Sequence, residues 1–405
     1  MPDPPSAWER LATTWPVQAY WRAVAGRLGK FAAYSPVGAG GEELSVPSTA
    51  PEVRAPVPRR EDEAVCLQGW ELNGLKLRNR IVRAAAYDGD SIDQLISIHS
   101  ELARGGVGLT TVAYAAVHPD GRSFESQLVV GAAVVPELRR LTGAVHEAGG
   151  RISLQLTHGG SFADRHVTHT QQLAPSRVFN PAGLDFPREM TAEELEEVKG
   201  HFVQAARLAK EAGFDAIEVH CGHGYLLSQF ISPLTNKRAD QYGGSPAGRA
   251  RYPAEVVQAI RAAVGPEYPI LVKFNMHDGF PGGLELQGAL EAARALAAAG
   301  ADALVPSCGV ITLNGFFMLR GAVPLPRLVG ALPGALKKFS VLAFGPLAVP
   351  TVPWEESFLR ESARAVLAAV PIPVLLLGGV SSLTGAEGAI REGFAGVQMG
   401  RALIR

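Results

Sequence analysis

With 405 residues, 47% of them hydrophobic and 19% charged, the chain can bury a large core, and its length suits one barrel-sized domain with an extension. A formal net charge of −1 argues against bulk nucleic-acid binding, and no apolar run is long and clean enough to span a bilayer. Three widely spaced cysteines, Cys66, Cys221 and Cys308, argue against a disulfide framework and against a four-thiolate cluster, so a reducing, cytoplasmic compartment is expected.

Residues 1–64 are rich in proline, including Pro2, Pro4, Pro5, Pro16, Pro36, Pro47, Pro51, Pro56 and Pro58, and read as an N-terminal extension, partly disordered. Within it, Gln18–Ala33 could form one amphipathic helix with Tyr20, Trp21, Val24 and Leu28 on a face. Asp3 and Glu9 spoil a transit-peptide pattern, and there is no uninterrupted apolar stretch of a secretion signal.

From about Cys66 the pattern changes to strands alternating with helices. Strands are predicted at Arg80–Ala85, Gly108–Val112, Arg151–Leu156, Ala216–His220, Ile270–Phe274, Ala303–Pro306, Pro373–Leu377 and Gly396–Met399. Between them lie predicted helices at Ser91–Arg104, Val135–Ala148, Thr191–Ala212, Pro246–Val264, Glu285–Ala299, Glu355–Ala369 and Gly385–Glu392. Thr191 followed by Glu194 is a capping-box signature. Gly149, Gly213, Gly300 and Gly393 each follow a helix and precede a strand, where a left-handed residue ends the helix. This alternation predicts a TIM (β/α)8 barrel over residues 65–405, with a doubly wound open sheet as the alternative, since strand order is not legible. The stretch 307–352 reads as an insertion before the seventh strand, serving as a lid, a contact surface or a core helix. The chain reaches Arg405 just after the eighth strand, so the last helix of such a barrel is expected to be lacking.

The stretch Glu218–Ser245 organises the rest. His220, His223 and Tyr225 fall just past the end of the predicted fourth strand, where such barrels build their active sites. Two neutral imidazoles can donate to one oxygen, and a phenol two residues on can deliver a proton nearby. On spacing alone, a zinc pair or two satisfied loop histidines stay open.

The segment REMTAEELEEVKGHFVQAARLAKEAGFDAIEVHCGHGYLLSQFISPLTNKRADQYGGSPAGRARY, with LKLRNRIVRAAAYDG, GGVGLTTVAYAAVHPDGR, ISLQLTHGG, LAPSRV and VLLLGGVSSLTGAEGAIREGFAGVQMGRALIR, resembles the old yellow enzyme family of FMN-dependent ene-reductases over roughly Gln68 to Arg405. The resemblance implies a TIM barrel holding FMN at its C-terminal mouth, with NAD(P)H as reductant and an α,β-unsaturated carbonyl compound as substrate. It implies that His220 and His223 bind the substrate oxygen and that Tyr225 protonates the α-carbon. Gln155 would contact the flavin pyrimidine, Lys273 would sit beside flavin N1 and O2, and Gly378, Gly379, Gly400 and Arg401 would hold the phosphate. Ala84, Ala85 and Ala86 match the subclass reading Arg-Ser-Ala-Thr on its first strand, with both hydroxyls lost, leaving backbone groups for the flavin. Thr157 stands where other members carry a bulky aromatic residue. No metal is assigned.

Each residue has a plainer reading. Gln155 could be a polar group satisfied inside the barrel, Lys273 a Schiff-base lysine, Gly378 and Gly379 turn residues, and His158 a loop cap. Arg238 and Arg249 read as structural, pairing with acids such as Asp240. Two whole-chain alternatives remain: an inactive flavin-barrel homologue serving as a binding or scaffold protein, and a metal-dependent hydrolase using His220 and His223. A homo-oligomer whose subunits complete each other's pockets also stays open.

Overall fold

Eight short segments with almost wholly buried residues form the centre of the molecule: β1 (Ile81–Ala86), β2 (Leu109–Ala116), β3 (Ile152–Thr157), β4 (Ala216–Cys221), β5 (Ile270–His277), β6 (Ala303–Cys308), β7 (Leu375–Leu377) and β8 (Gly396–Met399). They are seen in a computed structural model that describes residues 64–89, 91–180, 185–311, 320 and 352–404. The predicted helix in the N-terminal extension and most of the 307–352 insertion lie outside the described residues.

Burial on both faces is what a parallel sheet covered by helices demands of its strands. The strand order is β6-β5-β4-β3-β2-β1-β8-β7, every neighbour parallel. A parallel bridge between Leu304 and Val374, with the Leu304 amide donating to the Pro373 carbonyl at 2.9 Å, joins β6 to β7 and closes the ring. Closure in sequence order is a (β/α)8 barrel and removes the open-sheet alternative.

The helices are α1 (Ile92–Arg104), α2 (Val135–Glu147), α3 (Ala192–Glu211), α4 (Pro246–Val264), α5 (Leu286–Ala298), α6 (Arg360–Ala369) and α7 (Leu383–Arg391). Ser91–Gln94 and Thr191–Glu194 both form reciprocal capping boxes. Gly149, Gly213, Gly300 and Gly393 have φ of 76°, 88°, 101° and 103°, the left-handed turn their position requires. One helix departs from expectation. Predicted to begin at Glu355, α6 begins at Arg360 because Ser357 is left-handed (φ 57°) and the Glu356 carboxylate is taken by the amides of Ser381 and Ser382.

Two of the elements that were not predicted bear on the barrel's ends. A hairpin, Trp70–Leu72 with Leu75–Leu77, turns at Asn73 and Gly74, both at positive φ as a two-residue hairpin turn needs. Its Leu72 and Leu77 pack with Val82, Leu109, Ala216, Leu271, Ala303 and Leu375, residues at the N-terminal ends of their strands, so the hairpin plugs the barrel floor. The second is a one-and-a-half-turn helix, Leu226–Ile231, directly after Tyr225. With the floor closed by hydrocarbon, polar side chains gather at the opposite, C-terminal end. No helix among the described residues is long and apolar enough to cross a membrane.

Candidate active site

His220 occupies the penultimate position of β4 and is buried. Its Nδ1 accepts from the Gly222 amide at 3.3 Å, which leaves the proton of the neutral ring on Nε2 as a donor. The chain then turns sharply. His223 adopts φ 60° and Gly224 φ 87°, a conformation costly for a non-glycine residue. Three contacts hold it there: the His223 amide donates to Asn275 Oδ1 at 3.0 Å, the Ile311 amide donates to the His223 carbonyl at 3.0 Å, and His223 Nε2 shares a hydrogen with Ser307 Oγ at 2.7 Å. The double left-handed step brings the His220 and His223 rings to 5.0 Å at 86°, and folds Tyr225 back to 4.7 Å from the His220 ring.

Tyr225 is almost wholly buried against Tyr114 and Phe162, each ring centroid 5.3 Å away. Its hydroxyl has no hydrogen-bond partner of good geometry among the described residues. Burial, with the Tyr114 phenol beside it, pushes its pKa well above the usual tyrosine range, so it stays protonated. Burial drives both imidazoles the other way: His223 down to about 3, and His220 well below the ordinary value, with the Lys273 ammonium also disfavouring the charged form. At neutral pH the loop therefore offers uncharged donors and one retained phenolic proton.

These shifts carry a stability prediction. His220, His223 and the buried His99, also lowered to about 3, stay neutral in the folded chain, whereas in the unfolded chain they take up protons below about pH 6.5. The unfolded state then binds more protons, so stability falls as pH falls below that value, by up to about 1.4 kcal/mol per histidine per pH unit. Denaturant midpoints measured from pH 7.5 to pH 5 should decline steadily; a flat series would contradict neutral burial.

Below the loop lies a residue that sequence reasoning missed. Glu218 sits on β4 two residues before His220, on the same face, and is fully buried. It accepts from Gln155 Nε2 on β3 at 2.6 Å, from Lys273 Nζ on β5 at 2.8 Å and from Gln398 Nε2 on β8 at 2.7 Å. Gln155 and Lys273 thus meet through a carboxylate. The signal for Glu218 was present: an acid set between Ile217 and Val219 in the buried strand AIEVHC needs a buried partner.

The remaining predicted residues lie at the same end of the barrel. A register shift between Arg83 and Ala86 frees Ala84 and Ala85 from the β1–β2 ladder, though the Ala84 carbonyl accepts from the Arg83 guanidinium. Gly378 and Gly379 follow β7 at φ 110° and 79°, and a Cβ at Gly379 would lie 2.8 Å from the Glu355 carbonyl. Gly400 follows β8, near Ala84, and Arg401 opens the short turn Arg401–Leu403 with its side chain exposed.

The implied flavin can be tested against this donor set. Gln398 Oε1 and Thr157 Oγ1 are buried with no hydrogen-bond partner among the described residues, at the barrel end that also holds a buried ammonium, a buried carboxamide and unladdered backbone. A flat ring system with alternating donors and acceptors on its edge satisfies such a set, so the residues fit.

His158 turns out to cap a loop: its Nδ1 accepts from the Gly160 amide at 3.0 Å and its Nε2 contacts Asp120 Oδ1 at 3.1 Å. Arg238 pairs with Asp240 as expected, while Arg249 donates instead to the carbonyls of Ile231 and Gly244. His220 and His223 are not part of a metal-competent cluster among the described residues; His118, Asp120 and His201 are.

Residues 70–314 match the model of the NADH:flavin oxidoreductase / NADH oxidase family. The chain is 45% identical over 340 residues to a 4,4'-dithiodibutanoate disulfide reductase of Rhodococcus erythropolis, covering 82% of this chain and 84% of that one. It is 30% identical over 356 residues to an NADPH dehydrogenase of Geobacillus thermodenitrificans, covering 84% and 91%. It spans about a third of a metal reductase of Desulforamulus reducens, at 39% identity over 217 residues, 52% of this chain and 32% of that one. Among solved structures, the old yellow enzyme homologue of Zymomonas mobilis superposes with a TM-score of 0.65 at 22% identity over 83% of this chain and 88% of that one, a likeness of fold. The chain therefore belongs to the NADH:flavin oxidoreductase / NADH oxidase family and is a flavin- and NAD(P)H-linked oxidoreductase.

Proposed function

We propose that the chain uses FMN and NAD(P)H to reduce the C=C bond of α,β-unsaturated carbonyl compounds. The observation that carries this is a buried, protonated Tyr225 phenol packed against the neutral His220 ring, with the neutral His223 ring against His220 in turn, all on one strained loop. FMN, when bound, supplies the hydride. Lys273, Gln155, Gln398 and the backbone of Ala84–Ala86 would hold its ring edge, and Gly378, Gly379, Gly400 and Arg401 its phosphate. His220 and His223 bind the carbonyl oxygen and stabilise the charge that develops on it, since fixed donors in a water-poor site need no reorganisation. Tyr225 hands its proton to the carbon that becomes electron-rich.

The relative from Rhodococcus favours a second reading, reduction of a disulfide bond. In that case Tyr225 would protonate the departing thiolate. The chain's own thiols are poor candidates for the reaction: Cys221 and Cys308 are buried and unpaired, and burial raises both, Cys308 to about 12.

Turnover of 2-cyclohexenone and of 4,4'-dithiodibutanoate, each with NADH and with NADPH, separates the readings. Faster enone reduction is expected. A strong preference for the disulfide would replace the first reading by the second, and a protein that gains no flavin band near about 450 nm on adding FMN would sink both. The double substitution Cys221→Ser, Cys308→Ser should leave either activity within about twofold of the parent, because a largely protonated thiol contributes little nucleophile. Selective loss of disulfide turnover, with enone turnover intact, would instead show that the thiols take part.

A further inference from the structure

Outside the active site, one cluster of side chains has the chemistry of a metal site. His118 and Asp120 belong to the turn that follows β2, and His201 projects from the middle of α3. One ligand atom from each lies within 4.8 Å of the others. The His118 and His201 rings stack at 3.9 Å and 6°, so their lone pairs run parallel and one ring must swing out of the stack before both can reach one ion. His118 Nδ1 lies 2.8 Å from Asp120 Oδ1, and His201 Nδ1 is buried with no hydrogen-bond partner among the described residues. A buried, orphaned ring nitrogen is costly to leave unsatisfied, and a metal is one of the few groups that would satisfy it.

His158 supports the site without joining it. Because its Nδ1 accepts from the Gly160 amide, the proton of the neutral ring sits on Nε2 and points at Asp120 Oδ1. A carboxylate oriented in this way by a donor is the arrangement seen around metal-bound carboxylates.

We propose that His118, Asp120 and His201 bind one divalent transition-metal ion of the zinc class, with His158 positioning the carboxylate. Two imidazoles and one carboxylate suit zinc and its borderline neighbours better than calcium or magnesium, which prefer all-oxygen sites. Three protein ligands leave the remaining position to water. Ligand bonds of about 2.0–2.2 Å place ligand atoms roughly 3–3.5 Å apart, so loading needs the His118 ring to turn out of its stack on His201 and the wider spacings to close. His118 can move, since its side chain is 41% exposed. The bound ion would tie the turn after β2 to α3. That turn already meets the active-site loop, through the Asp120–His158 contact and the Leu226 amide on the His158 carbonyl at 2.9 Å.

The test is calorimetric titration of Zn(II) into the chelator-treated, FMN-saturated full chain near neutral pH. One Zn(II) per chain is expected. His118→Ala and His201→Ala should each weaken binding at least tenfold, their combination should abolish it, and His158→Asn should weaken it by about 10–100-fold, as lost outer partners do. His146→Ala, which removes a partly exposed histidine paired with Asp215, is the control and should change nothing. His118 contributes little packing, so its variant is expected to fold, which its flavin spectrum checks. No stoichiometric uptake at tens of micromolar Zn(II), or equal affinity in the double variant and the parent, would overturn the proposal.

Discussion

Tyr225→Phe should slow reduction of the enone by about 10²–10⁴-fold and leave reduction of the flavin by NAD(P)H nearly unchanged. The asymmetry follows from where the hydroxyl stands. Its one polar neighbour is the Tyr114 phenol, and it makes no hydrogen bond to His220 or to the loop backbone among the described residues, so its removal leaves the loop turn in place. The ring stays, and with it the packing against Tyr114, Phe162 and His220. What is lost is one proton at one position. Taking hydride from NAD(P)H needs no proton from this group; saturating the C=C bond does. Because burial keeps the phenol protonated and the imidazoles neutral, the parent's enone half-reaction should also be level between about pH 6 and pH 9, within the span those shifts clear of titration. Stopped-flow measurement of the two half-reactions decides the matter. Equal losses in both would remove the proton-donor role and point to a general disturbance of the site.

Most of the fold was legible because its signals are local. Each strand carries a short apolar run, and four helices end on a glycine whose left-handed turn could be expected from the residue alone. The barrel's closure was not legible, because it rests on Leu304 meeting Val374, a contact between residues 70 apart. The loop residues were found because their chemistry lies within six positions of sequence. Glu218 and Gln398 were missed for the opposite reason: their role exists only once register sets Gln155 beside Glu218 and His220 beside Lys273. The His118–Asp120–His201 cluster joins a turn and a helix about 80 residues apart, and neither segment announces a partner. The hairpin plug was passed over although its Asn-Gly turn is a strong local signal, because the two strands it joins are only three residues long.

Replacing Glu218 by leucine should destabilise the folded chain by about 3–5 kcal/mol, the usual cost of stripping a buried charge of its partner. The carboxylate is fully buried and Lys273 nearly so, at 2.8 Å. Without it the ammonium has no anion beside it, and the Gln155 and Gln398 amides lose their acceptor. Lys273→Met should cost a similar amount by leaving the carboxylate alone. The two together remove both charges and fill the space with hydrocarbon, so the double variant should recover much of the loss, with a coupling of at least about 1–3 kcal/mol. Its stability and its chemistry should then part company: a folded barrel that holds flavin less tightly, because the cation we propose for the ring edge is gone. Chemical denaturation of the parent, both single variants and the double measures the first, and titration with FMN measures the second. Additive losses in the double variant would mean that Glu218 and Lys273 do not depend on each other. An unaltered flavin affinity would mean that Lys273 faces the carboxylate and not the cofactor.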